Sequence, residues 1–479
     1  MAFQSNSAVE LAAGKAAARG IRRNAFINKA FLKEVFDKAE FVFAFISLFF
    51  FTDAITMVVL TQGVSEGEVF SYDTMNFAPV QLFYLINYGI TLFLLACRYK
   101  RTIYILLSNP FLIASIVLIA SSVFWSFSPR ESLNGGIFAT LNMLFAVYLA
   151  GRYSLKQQVT MLGYVLFMIA VLNFVFVYAF PHYGIMGGPV HPGAWRGVFT
   201  HKNGAGRIMV LACGVMLTMF NEVKDKRLKW MYLVGLLLSL IMIDKSGSGG
   251  ALVNSVFILL IVVIVQVFKS ESRKLFLALV FLASAAIFIT AAYVPIMTFA
   301  LGLIGKDPSL TGRTDIWEYI YTMIGNRPAL GYGVGGFWHG EAGASLYVIQ
   351  RAGWLVPDAH QGFLDLTLQI GIIGASMVVL VMWQTLLRGL ARVRLVKSWV
   401  SSWPAVYILY ISLVNLSESS LLAPNSIFWI LVCSMSMTMS YEAKYLVDFE
   451  RFGLIDNHEH VGGNDPGKVT LSGSAQTSP

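Results

Sequence analysis

Charge is what this sequence has least of. Only 13% of its 479 residues are Asp, Glu, Lys or Arg, against 57% apolar. A soluble globular domain carries roughly a quarter charged residues, and this chain cannot supply the polar shell that so large an apolar interior would need. Lipid as the surrounding solvent removes the difficulty. Cysteine is scarce too. Cys97, Cys213 and Cys433 fall inside apolar runs, and no pair has the spacing of a metal site or a disulfide framework. Nor is a cleavable signal peptide visible: the first apolar stretch begins near Phe41, is long, and follows a basic leader, so it reads as a retained signal-anchor span. Acidic residues are the minority charge, 26 against 35 basic. The placement of the basic ones points to topology and anionic lipid rather than to nucleic acid.

A membrane-crossing helix needs about 20 mostly apolar residues. About twelve stretches meet that rule, from Phe41–Leu60 through Pro110–Phe127, Leu275–Leu301 and Gly362–Leu387 to Trp403–Leu416 and Ile427–Tyr441. The fold class is therefore an all-α polytopic membrane protein with about 12 transmembrane helices. Lys and Arg alternate between connecting segments: only nine of the 35 fall in one set, and the other set includes Arg98, Lys100, Arg152, Lys224 and Arg392. Basic segments stay cytoplasmic, which places both termini inside. The chain then divides into a basic amphipathic cytoplasmic leader (1–40), helices one to nine (41–302), a large periplasmic loop with short helices (303–359), helices ten to twelve (360–441) and a cytoplasmic tail (442–479). The tail is Gly-, Ser- and Asn-rich and reads as largely disordered. The leader suits a helix lying on the membrane surface.

Cations on the disfavoured side need some other reason to be there. Five of the seven histidines share that side. Ala194-Trp195-Arg196-Gly197-Val198-Phe199-Thr200-His201-Lys202-Asn203-Gly204 crowds three cation-capable residues and an amide into one short segment. That suits an anionic ligand bound by charge-assisted hydrogen bonds, and equally a juxtamembrane anchor on lipid headgroups. In the large loop, Thr314 or Asp315 can cap a helix whose apolar face is Ile316, Ile320 and Ile324 and which stops at Gly325-Asn326-Arg327-Pro328. Arg313 thus precedes a helix N-terminus, where free backbone N–H groups also favour an anion. The glycine run Gly331-Tyr332-Gly333-Val334-Gly335-Gly336 lacks the strand-then-helix setting of a dinucleotide fold and reads better as a tight loop against other backbone. His360, at the outer N-terminus of the tenth helix, can act as a general base or be structural. Glu418 could orient an imidazole or pair with an arginine. The Asp244-Lys245-Ser246 turn could line the same cavity; a solvated rim is the plain alternative for both.

Four segments resemble the family of bacterial O-antigen ligases and polysaccharide polymerases. They are Thr311-Gly312-Arg313-Thr314-Asp315-Ile316-Trp317, the Pro328 to Phe337 glycine segment, Ala359-His360-Gln361-Gly362-Phe363-Leu364 and Gly197-Val198-Phe199-Thr200-His201-Lys202-Asn203. The last is most similar to the exopolysaccharide production branch. The resemblance implies a GT-C-like glycosyltransferase of the bacterial inner membrane that works without metal or cofactor. Its partners would be an undecaprenyl-diphosphate-linked oligosaccharide, an acceptor glycan and membrane lipids, with a flippase and a chain-length regulator as partner proteins and no nucleic acid. It maps functional residues onto Arg313 and His360, and the chemistry adds Glu418 as a third catalytic candidate. Arg196, Lys202, Arg207 and Lys245 would bind the donor diphosphate, supported by His201, Asn203 and Asp358. Gln361 stands where many members have Asn, and Ser246-Gly247-Ser248 lacks an arginine many members carry there. Three functions stay open: polymerase of lipid-linked repeat units, ligase onto a lipid A core, and transporter or flippase.

Overall fold

The computed structural model describes residues 31–65, 77–267, 269, 271, 273–281, 284, 313–340, 343–416 and 418–452. Most of the leader, residues 282–283 and 285–301 of the ninth expected span, Lys306 and the final tail with His458 and His460 lie outside the described residues. In chain order the helices are α1 (31–50), α2 (Thr56–Leu60), α3 (Ala78–Cys97), α4 (Tyr99–Leu106), α5 (Pro110–Ser121), α6 (Pro129–Arg152), α7 (Leu155–Ala179) and α8 (Pro181–Gly184). They continue with α9 (Lys202–Glu222), α10 (Lys226–Ser246), α11 (Gly249–Val267), α12 (273–281), α13 (Arg313–Asn326), α14 (Leu346–Ala352), α15 (Gly362–Leu395), α16 (Trp403–Val414) and α17 (Ile427–Phe452). Among the described residues there is no strand, only one antiparallel bridge between Ile185 and Trp195.

Six of these helices, α3, α6, α7, α9, α11 and α15, are long and apolar enough to cross a bilayer; α4 and α5, bent by 91°, make a seventh if they form one span. The all-helical polytopic class holds, with a smaller number meeting the length test than the twelve expected. α9 lies centrally, packed by α10, α11, α7 and α16, and α17 packs on α6 and α15. Its near-continuous burial from Ile208 to Met216 fits a helix that is apolar all round.

The basic segments gather at one end, tied by acids. Glu40 bonds to both Arg98 and Arg152, and Asp37 to Arg152. Glu222 meets Lys156 at 2.8 Å and also accepts from Ser398 Oγ and Trp399 N–H. Residues 31–40 run without interruption into 41–50, so this part of the leader is the first half of α1 rather than a separate surface helix.

Three apolar stretches that read as continuous helices are broken at the opposite end. Phe41–Leu60 is not one span. α1 stops at residue 50, residues 51–55 turn with Asp53 and Ile55 in the left-handed region (φ 60° and 67°), and α2 restarts at Thr56. Pro110–Phe127 ends as a helix at Ser121. α15 carries a break at Gly371 (φ 67°, ψ −179°). Each break frees backbone groups that lipid cannot satisfy, so protein must. Ile427 N–H donates to Phe51 O and Ile55 N–H to Val198 O, both at 2.8 Å. At Gly371 the glycine segment does the same on both sides. Tyr332 and Gly333 N–H donate to Leu368 O and Gln369 O, while Ile372 N–H donates to Pro328 O. A Cβ on Gly371 would lie 2.1 Å from Ala329 O. The run thus lies against helix backbone, as a tight loop.

Thr314 and Asp315 lie within α13 rather than capping it, and the helix ends at Asn326. Its buried Ile316 and Ile320, with Tyr332, Phe337, Val348 and Leu368, form a small second core at this end. Burying each such side chain stabilises by about 1.5–3 kcal/mol, enough to dock α13 and α14 as a cap over the bundle.

Candidate active site

The segment before α9 is held by buried polar groups. Asn173 of α7, fully buried, accepts from Val198 N–H at 3.0 Å. A Cβ on Gly197 (φ 57°) would fall 2.0 Å from that same amide oxygen, so only glycine fits there. Arg196 is also fully buried. Its Nε donates to Tyr183 O at 2.7 Å, Nη1 to Val64 O, Ser65 Oγ and Thr200 O, and Nη2 to Gly63 O and His182 O. A guanidinium has five N–H donors, and these are spent on the protein's own acceptors. The geometry makes Arg196 a staple joining the 63–65, 182–183 and 196–200 segments, in place of the diphosphate contact expected of it.

Beside it, His201 caps α9, its Nδ1 accepting from Asn203 N–H at 3.2 Å, with the His191 ring 5.6 Å away. Asn203 thus lies in the first turn of α9, bonded to His201 through its backbone. Lys202 Nζ reaches Gly247 O at 3.2 Å. Lys245, more than half exposed, is 3.4 Å from Asp244, and its carbonyl accepts from Trp195 N–H. Lys202 and Lys245 thus converge on one turn at the helix ends, where Gly247 takes the left-handed conformation (φ 60°) that closes α10.

His360 has a left-handed backbone (φ 49°). The Asp358 carboxylate fixes it twice, accepting from its N–H at 2.7 Å and standing 3.3 Å from its Nδ1. Trp354 lies nearly parallel to the ring at 6.5 Å. Gln361 then caps α15, accepting from Leu364 N–H, which gives a local reason for the residue that departs from the family pattern. One turn into α15, buried Asp365 accepts from Trp338 Nε1 at 2.7 Å and from Ala359 N–H. From the other side, Trp317 Nε1 donates to Ala359 O at 2.9 Å. Trp317 lies one turn after Arg313, so α13 is bonded near Arg313 to the residue preceding His360. The two sequence motifs meet.

A third strand of the site runs through the turn after α16. Gly362 N–H donates to Asn415 O at 2.9 Å, and a Cβ on Gly362 would strike the Asn415 amide. Asn415 Oδ1 accepts from Ser420 N–H. Arg207 Nη1, from α9, donates to Ser419 O and Ser420 Oγ, each at 3.0 Å. Glu418 sits within this turn, its N–H donating to Val414 O. His360, Glu418 and Arg207 are therefore brought to one region, and the Lys202–Lys245 pair stands at the N-terminus of the same α9.

Sequence reasoning passed over Asp53, Asn415, Asn425 and Tyr88. Tyr88 Oη lies 2.6 Å from the side-chain oxygens of both Asn142 and Asn425. Asp53 had a readable signal: it is an acid inside the first apolar run, and ionisable residues there mark function by default.

A many-helix membrane protein with a broken-helix polar site at one end is the class these features define. Residues 233–379 match the family model described as O-Antigen ligase, a stretch that holds α13 and His360. The exopolysaccharide production protein ExoQ of Rhizobium meliloti (strain 1021) is 24% identical over 325 residues, which cover 66% of this chain and 72% of the relative. The chain is therefore similar to the O-Antigen ligase family over residues 233–379 and to ExoQ over about two thirds of its length.

Proposed function

We propose that this protein polymerises polyprenyl-diphosphate-linked oligosaccharide repeat units into exopolysaccharide at the periplasmic face of the bacterial inner membrane, with both termini cytoplasmic. The observation that carries the reading is the bond from Trp317 of α13 to Ala359, beside a His360 held by Asp358. With its Nδ1–H directed to Asp358, His360 offers the Nε2 lone pair to the acceptor hydroxyl. That hydroxyl oxygen attacks the anomeric carbon and inverts it. The bond to the diphosphate breaks, and its electron pair leaves on the diphosphate oxygen. Fixed cations neutralise the departing charge: Arg313 at the α13 N-terminus, Lys202 and Lys245 at the shared turn. Arg196 positions the segment bearing Lys202. Glu418 lines the region beside His360.

Arg313→Ala and His360→Ala are each expected to abolish product at unchanged protein level. Normal glycan output from either variant would sink the assignment. The family model's description as a ligase supports a second reading, transfer of finished glycan to a lipid A core. A gel of polysaccharide from a deletion strain separates them: single repeat units on lipid mean polymerase, long unattached chains mean ligase.

A further inference from the structure

α4 follows α3 after Arg98 alone and lies at 91° to the helical segment Pro110–Phe124. That segment includes α5, which packs against α6 and α15, so α4 runs across the end of the bundle rather than along it. The basic segments gather at this same end. Glu40 ties Arg98, at the start of α4, to Arg152, at the end of α6. The sequence of α4 suits a helix lying in a membrane surface. Tyr99 and Ile103, with Leu107 just past the helix, recur every fourth residue on one stripe, and each is at least half exposed. Lys100 and Arg101 are exposed as well, so their stems can lie along apolar surface while the charges stay among headgroups.

A narrow crevice opens between α3, α4 and α6. Leu94, Ile105 and Val147 give it apolar walls, and the three arginines Arg98, Arg101 and Arg152 stand around it. Two of these charges are matched: Glu40 bonds to both Arg98 and Arg152, and Asp37 to Arg152. Among the described residues Arg101 makes no ion pair, and its guanidinium lies 5.7 Å from the Tyr441 ring. Arg98 directs Nη2 to Glu40, while its Nη1 is buried with no hydrogen-bond partner among the described residues. A buried charged donor without an acceptor is costly. Thr102, which also lines the crevice, already donates to Leu95 O and Arg98 O. Along α3, Leu82, Ile86, Ile90, Leu94 and Arg98 follow one another at four-residue steps, one stripe that leads into the crevice. Leu82, Ile86 and Ile90 are exposed. An anion with an apolar tail matches all of this at once. Its oxygens accept from the guanidiniums, its charge answers Arg101, and its tail follows the stripe. Water supplies the acceptor without the charge, and free phosphate supplies both without the apolar contact.

We propose that this crevice is a binding site for an anionic phospholipid, whose phosphodiester oxygens accept from Arg98 and Arg101 and whose acyl chain runs down the Leu94, Ile90 and Ile86 stripe of α3. A basic pocket between membrane helices is a recognised setting for such headgroups. The site lies at the end opposite His360, and it neither rests on the glycan-transfer reading nor supports it.

The test uses the full-length protein in neutral detergent, labelled with an environment-sensitive fluorophore at Cys97. That cysteine is exposed and adjoins Arg98, whereas Cys213 and Cys433 are buried. The protein is titrated with phosphatidylglycerol, with phosphatidylcholine of the same acyl chains, and with inorganic phosphate. Phosphatidylglycerol is expected to give a saturable emission shift, phosphatidylcholine to bind at least about tenfold more weakly, and inorganic phosphate at the same concentration to give none. Arg101→Gln removes an exposed cation that no acid pairs, so the fold should survive it. It is expected to weaken phosphatidylglycerol binding by about tenfold or more, as for the loss of a hydrogen bond to a charged group. Lys100→Gln removes the same charge from a neighbour that does not line the crevice, and should cost no more than about fivefold, the general attraction of one surface cation for an anionic membrane. Equal losses in the two variants would reduce the site to that general attraction and overturn it. Phosphatidylcholine binding as tightly as phosphatidylglycerol would overturn it too. An equal shift with inorganic phosphate would make the crevice a free-anion site and refute the lipid.

Discussion

Arg196→Met separates two jobs that a buried guanidinium could do. Methionine fills much of the same space but donates nothing, so the carbonyls of Gly63, Val64, His182, Tyr183 and Thr200 and the Ser65 hydroxyl each lose a donor. A buried acceptor left without a partner costs about 1–3 kcal/mol. If relaxation and water recover all but three of them, the loss is still about 3–9 kcal/mol, against a typical total stability of about 5–15 kcal/mol. The variant is expected to accumulate poorly and to melt well below the wild type. Arg196→Lys should fall between, because one ammonium with three donors cannot reach all the acceptors set around the edge of the guanidinium plane. The assay is immunodetection in membranes with thermal unfolding of the solubilised protein, alongside pyrophosphate titration. An Arg196→Met protein that accumulates and melts normally but no longer binds pyrophosphate would refute the staple and restore Arg196 as a donor contact.

Two further substitutions probe the parts around it. Asp358→Asn retains an oxygen for the His360 N–H, so the turn should persist, but the neutral amide no longer holds Nδ1–H by charge. Glycan synthesis in isolated membranes should fall at least about tenfold, about 1.4 kcal/mol of barrier, with unchanged melting; an undiminished rate removes Asp358 from its orienting role. Gly371→Ala places a Cβ 2.1 Å from Ala329 O in a left-handed residue. It should cost roughly 1–2 kcal/mol for the backbone and about 1–3 kcal/mol for the forced shift, seen as a lower melting temperature and faster proteolysis within 328–336. A melting temperature equal to wild type would mean that the loop and helix are not docked as described.

The helical class was legible because it rests on a local pattern, the length of the apolar runs. What was not legible came from contacts distant in the chain. A sequence shows that Arg196 lies among His and Lys but not that its side chain turns back to residues 63–65, more than a hundred positions away. Asp53 was absorbed into an apolar run because average hydropathy tolerates one acid. Gly371 looked like any glycine in an apolar stretch. Its departure from helix is compensated by Pro328, Tyr332 and Gly333, and nothing in its own neighbourhood announces them.

The location of the polar site follows from how those breaks are compensated. Of the left-handed non-glycine residues described, Asp53, Ile55, His360, Leu422 and Asn425 all belong to the broken segments at the end opposite the basic loops, each a strain of roughly 1–3 kcal/mol. Water could satisfy the interrupted backbone of one such segment; in a bilayer the partner has to be another interrupted segment. That is the pattern found: Phe51 O with Ile427 N–H, Ile55 N–H with Val198 O, Gly362 N–H with Asn415 O, and Ile372 N–H with Pro328 O. Each break is the hydrogen-bond partner of a segment from elsewhere in the chain, so none can relax alone. The side chains they carry, His360 and Asp53 among them, are therefore fixed relative to one another by main-chain bonds. That rigidity is what a transferase must have if it aligns an acceptor hydroxyl with an anomeric carbon through the protein alone.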